Sequence, residues 1–140
     1  MTLKLYEIDR TAHDLVLTFR DHGVLGESHK MRTTIAYGLE RFWGEHLRLD
    51  QSNKNRPNPE DQNKSDFWKA TWNALCQIMK DAGIKVPNDP VNPSSTPEIQ
   101  SMAAKLWDDQ VFTIEQRKIT LAVLIELCDS LVWWTQRHKK

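Results

Sequence analysis

The last segment of the chain, Thr113 to Lys140, reads TIEQRKITLAVLIELCDSLVWWTQRHKK. At about 100° per residue, Leu121, Leu124, Ile125, Leu127, Cys128, Leu131, Val132 and Trp134 sweep an arc of roughly 200°. An arc that wide cannot be left to water, so it predicts a long helix with neighbours on two sides, the central member of a helical bundle. Thr113 and Gln116 form a capping box at its start, each side chain answering a backbone N–H of the other. The helix ends in a Trp-Trp step and the cationic tail Arg137, His138, Lys139, Lys140. Trp133 points away from most of the arc, beside Ala122, and is either core on the second side of the bundle or an exposed anchor for a partner.

Helical periods fill the rest of the chain. Leu5, Ile8, Ala12, Leu15, Val16 and Phe19 recur at helical steps, predicting a first helix from about Leu3 to His22 that Gly23 ends. Almost nothing precedes it, as expected of a bundle cut from the end of a longer polypeptide. Ser28 reads as the N-cap of a second helix reaching Leu49, with Met31, Ile35, Leu39, Phe42 and His46 on one face and Trp43 at its margin. Asp50 to Lys64 (DQSNKNRPNPEDQNK) reads as a mobile loop. A third helix is expected from a Ser65 cap to Ala82, aligning Trp68, Trp72, Leu75 and Met79, with Gly83 as its stop. Ile84 to Ser95, with three prolines, reads as a second flexible loop. Thr96, Pro97 and Glu98 are then a cap, an early proline and a first-turn acid, opening a short helix with Met102, Ala103, Leu106 and Trp107 facing inward. No segment alternates with the period of a strand. The expected fold is all-α, a single-domain helical bundle of four to five helices over residues 1–140, with flexible loops at about 50–64 and 84–95.

Charge narrows the function classes. Nineteen basic and nineteen acidic residues cancel, so any nucleic-acid surface has to arise from segregation of charge on one face. Six tryptophans in 140 residues leave rings to spare for an interface. Cys76 and Cys128 fall on apolar helix faces, where thiols act as small hydrophobes, and no Cys or His spacing fits zinc. No stretch reaches the roughly 20 apolar residues of a membrane span and no signal core opens the chain, so the expected location is cytoplasmic, with no membrane partner.

On the second helix Lys30, Arg41 and Arg48 align within about 20°, with Tyr37 and Thr34 within about 40° on either side. This is a basic stripe with one aromatic, and its outer cations stand roughly 27 Å apart on a straight helix. Such a stripe can follow a phosphate backbone, although Glu27 and Glu45 flank it. The competing reading is a solvated face carrying intrahelical ion pairs. The tail Arg137, His138, Lys139, Lys140 either caps the negative end of its helix or binds phosphates or an acidic neighbour. His46 on an apolar face reads as a hydrogen-bonded core residue. No nucleophile elbow, activated-thiol motif or inward Glu-x-x-His pair occurs, so neither an enzyme nor a metal or other cofactor is expected.

The aliphatic, Trp-containing, basic-ended pattern AVLIELCDSLVWWTQRHKK, in a small helical chain opening inside a helix, resembles the small subunit of Cascade-like CRISPR effector complexes. The resemblance rests on architecture and on no diagnostic motif. It implies a non-catalytic subunit that packs in several copies beside larger subunits of a ribonucleoprotein. Its cationic face would meet the guide RNA–DNA hybrid or the displaced strand through backbone phosphates. Lys30, Arg41, Arg48, Arg137, Lys139 and Lys140 would then be the contacts, with Tyr37 free to stack. The alternatives are a helical adaptor or toxin-neutralising module that binds only protein through Trp133, and a phage- or plasmid-borne regulator.

Overall fold

Among the described residues the helical periods close into six α-helices: α1 (Leu5–Phe19), α2 (Glu27–Thr34), α3 (Leu39–Leu49), α4 (Pro59–Asp81), α5 (Thr96–Trp107) and α6 (Ile114–His138). The computed structural model describes residues 4–138, and within them there is no strand. The expected start of the first helix at Leu3 lies outside the described residues. The fold is an all-α bundle, and α6 lies at its centre, packed by α1, α2 and α4. Val123, Leu124, Leu127, Cys128 and Leu131 are buried, with Leu121, Ile125, Val132 and Trp134 half-buried at the margins of the arc. Contrary to the expectation that no segment has the makings of a membrane span, α6 is long and apolar enough to cross one by length and composition. A helix enclosed on two sides by other helices needs the same composition, and here α1, α2 and α4 supply the enclosure.

The second expected helix is two. A 3-10 turn, Ile35–Tyr37, follows α2, and Gly38 then adopts φ 105 and ψ 164 before α3 begins. That combination is essentially a glycine conformation. The break lets α2 lie on α6 while α3 turns onto α4 and α5. One straight helix could not do both. Gly23, at φ 71, ends the first helical segment after the 3-10 turn Arg20–His22, as its position after His22 predicts.

Three helix starts differ from the sequence reading. Ser28 is no cap but a buried residue in the first turn of α2, its Oγ 2.9 Å from Leu25 O and 3.0 Å from Thr135 Oγ1 of α6. Ser65 lies inside α4, where its hydroxyl donates to His46 O of α3 at 2.6 Å. The cap of α4 is Asn58, whose side chain accepts from the N–H groups of Glu60 and Asp61 at 2.9 and 3.3 Å, ahead of Pro59. Helix α5 is capped by Ser95, one residue before Thr96, through Glu98 N at 3.4 Å. The Thr113–Gln116 box forms in both directions at 3.1 Å.

Aromatic side chains fill the space between α3 and α4. Phe42 lies 4.9 Å from Trp68 and 6.3 Å from Trp72, and Phe19 of α1 reaches Phe67 at 4.9 Å. Trp43, Trp68 and Trp72 are core, whereas Trp107 is exposed. Its expected inward position fails because it is the last residue of α5, and the chain leaves the core there. The segment 84–95 carries no helix, yet Ile84 and Val86 are buried against the core.

Two outcomes follow from this packing. Leu124→Ala and Leu131→Ala, each emptying a fully buried site, should cost about 2 to 5 kcal/mol in urea titrations. Gly38→Ala forces a side chain into a glycine-only backbone region and should cost about 1 to 3 kcal/mol by the same measurement.

Candidate nucleic-acid interface and the surface around it

The break at Gly38 divides the basic stripe between two helices. Lys30 and Thr34 belong to α2, Tyr37 to the 3-10 turn, and Arg41 and Arg48 to α3, so the five residues do not share one straight helix face. The flanking acids engage two of the three cations directly. Lys30 Nζ lies 3.2 Å from Glu27 Oε2, and Arg48 grips Glu45 with Nη2 and Nε at 2.8 and 3.0 Å. That pairing raises the Arg48 pKa above its ordinary value, Glu45 being the main cause. Glu27 does more than flank. It is buried, and its Oε1 accepts Trp68 Nε1 of α4 at 3.1 Å, tying α2 to the aromatic core.

Arg41 is placed differently. Exposed on α3, it makes no ion pair among the described residues, and its guanidinium sits 5.9 Å from the centroid of the exposed Tyr37 ring. This is cation–π geometry. Between these two residues lies Gly38, which also lines a groove of about 280 Å³ with Leu39, the acidic Glu40, Trp107, Ile114, Arg117 and Lys118. Helices α3, α5 and α6 build the groove, and it joins residues that no sequence periodicity connects. Arg117 pairs with Asp109 across the α5–α6 turn, whereas Lys118 is 71% exposed and only 4.0 Å from its nearest carboxylate, Glu115.

The cationic tail is divided as well. Arg137 is exposed in the last turn of α6, and Lys139 and Lys140 lie outside the described residues. His138 turns back onto α1, its Nε2 2.9 Å from His13 Nε2, so one ring donates and the other accepts. Loss of solvent, and then the charges of His13, Arg20 and Arg137, hold the His138 pKa below its ordinary value. Trp133 is exposed, while Trp134 is half-buried and donates to Asp9 Oδ1 at 3.1 Å.

Groups with reactive potential are muted by their surroundings. Burial pushes the Cys76 thiol up to about 12, and raises Cys128 as well, so neither supplies a thiolate near neutral pH. Among the described residues no three His, Cys, Asp or Glu side chains gather where a metal ion could sit. His46 is buried, and its Nδ1 contacts the Trp43 carbonyl, which can only accept. That ring nitrogen therefore carries the proton of the neutral imidazole. Burial, followed by the nearby Lys69 charge, lowers the His46 pKa from 6.5 to about 4 against the opposing pull of the Trp43 hydrogen bond and Asp50. Protonation is thus easier in the unfolded chain, and the unfolded state binds more protons as the pH falls below 6.5. Stability should decline from pH 6.5 to about 4 and then level off for this group. At about 1.4 kcal/mol per pH unit the loss is on the order of 3 kcal/mol. Urea titrations across that range should show the decline in the parent chain and flatten it in His46→Gln. Compared with known proteins, the chain matches no protein family, no curated protein and no solved structure.

Proposed function

We propose that this chain is a non-catalytic subunit of a nucleoprotein assembly that holds a nucleic-acid backbone, in the manner of the small subunit of Cascade-like CRISPR effectors. In that reading it sits beside larger subunits and further copies of itself in the cytoplasm. The strand it touches, whether in the guide–target hybrid or displaced from it, is held through phosphates. One observation carries the reading: Arg41 lacks a carboxylate partner among the described residues and stands beside the exposed ring of Tyr37, the two flanking in sequence the Gly38 that lines a groove with Glu40, Trp107 and Lys118. Cations beside open aromatic faces suit single strands, because phosphates meet the charge and bases stack on the rings regardless of sequence. The contact centre moves from the whole stripe to Arg41 and Tyr37, since Lys30 and Arg48 already face Glu27 and Glu45.

Anisotropy titrations of a single-stranded oligonucleotide and of an RNA–DNA hybrid at several salt concentrations test this. Arg41→Ala should weaken binding equally across base sequences and make the slope of log affinity against log salt shallower by about 0.7 for the single strand. Lys30→Ala and Arg48→Ala should do less. Affinity and slope both unchanged in Arg41→Ala would favour the second reading, a helical adaptor that binds only protein. That reading draws on the exposure of Trp107 and Trp133 at opposite ends of α6, since large exposed rings mark interaction surfaces.

A further inference from the structure

Where α1 meets the C-terminal half of α6, two consecutive indoles form the corner of a cleft. The rings of Trp133 and Trp134 stand at 82° with centroids 4.7 Å apart. They line an opening of about 370 Å³ together with Asp9, Asp129 and Ser130, and no basic side chain is part of that lining. One wall is fixed and the other open. Trp134 is held by its hydrogen bond to Asp9 and by His13, which stacks on it at 3.6 Å with the planes 13° apart. Trp133 is 60% exposed.

We propose that this cleft binds the cationic side chain of a lysine or arginine presented by a partner protein. The charge of the lining selects the sign of the ligand. Asp9 spends one oxygen on a neutral indole N–H, which leaves its charge uncompensated, and a carboxylate retains further acceptor sites. Asp129 is partly offset by Arg32, whose Nε donates to it at 2.6 Å. The sum is close to one net negative charge, which suits a monocation. The two indoles suit the remainder of such a side chain, because an alkyl stem packs against a ring while the ammonium or guanidinium is drawn to the π face. The N–H donors of that group would meet the free carboxylate oxygens and Ser130. None of this depends on nucleic-acid binding, since the cleft is formed by α1 and the far end of α6 from the groove at Gly38.

The test is a titration of the whole chain with N-acetyl-lysine methylamide and N-acetyl-arginine methylamide, followed at the indole N–H signals of Trp133 and Trp134. Both signals should shift saturably. Affinity should fall at least tenfold in Trp133→Ala, read at Trp134, and in Asp9→Asn, with the melting temperature nearly unchanged. Trp133 is exposed, and an asparagine still accepts from Trp134, so both variants keep the fold. The norleucine analogue has a comparable stem without the charge and should leave the signals in place. Tetramethylammonium chloride, which has the charge without the N–H donors, should bind more weakly than the lysine compound. An equal response to norleucine, or no saturable shift with either cation, overturns the proposal. Tighter binding of tetramethylammonium would assign the cleft to a quaternary amine instead. Sedimentation revealing a dimer that Trp133→Ala dissolves would put a second copy of the chain there, and either result overturns the assignment to a partner's lysine or arginine.

Discussion

The arrangement of this bundle depends on one backbone conformation, that of Gly38. An uninterrupted helix from Glu27 to Leu49 would carry Met31, Ile35, Leu39, Phe42 and His46 along a single line, able to cover one neighbour. With φ at 105 the chain changes direction after the Ile35–Tyr37 turn, and the two halves cover different neighbours. Met31 and Ile35 go toward α6, and Phe42 and Trp43 go into the aromatic layer against α4. The same break leaves Tyr37 in solvent and puts Gly38 in the wall of the groove. The site considered for nucleic acid is therefore a by-product of the way the core is closed.

Once the helices are so placed, a few buried polar contacts fix their register. Glu27 accepts the indole N–H of Trp68 between α2 and α4, the hydroxyls of Ser28 and Thr135 meet between α2 and α6, and Ser65 reaches the His46 carbonyl between α4 and α3. Apolar contacts are tolerant of sliding, whereas these are not. A buried donor or acceptor left without its partner costs about 1 to 3 kcal/mol, and more if charged. Each contact therefore penalises a shifted helix by more than the hydrogen bond itself contributes. The fixed register in turn sets the surface, since the ion pair of Lys30 with Glu27 and the ring contact of Arg41 with Tyr37 follow from where α2 and α3 are held.

The outer face then separates into unlike regions. At the Gly38 end, Arg41 and Lys118 stand with the open rings of Tyr37 and Trp107 and with the carboxylate of Glu40. At the other end of α6, Trp133 and Trp134 stand with two aspartates. A net charge of zero conceals this division.

The sequence by itself determined the all-α class, the central place of α6 and most of the core, because helical periodicity is a local property that burial on two sides widens into a 200° arc, roughly, as α6 shows. It also holds a start that its surroundings conceal: Asn58-Pro59-Glu60-Asp61 has the same cap, proline and acid as Thr96-Pro97-Glu98, but it lies inside a polar stretch whose composition reads as a loop. Tertiary structure alone decided the rest. A serine before a helical run looks alike whether it caps a helix or bonds to a neighbour, so Ser28 and Ser65 became buried ties only when α6 and α3 arrived beside them. The pairs of Lys30 with Glu27 and of Arg48 with Glu45, three residues apart, follow from spacing, whereas the groove joining Gly38 to Trp107 and Ile114 and the cleft joining Asp9 to Trp133 appear only in the packed bundle. Each unites residues far apart in the chain, and it is the geometry of helix against helix that brings them within reach.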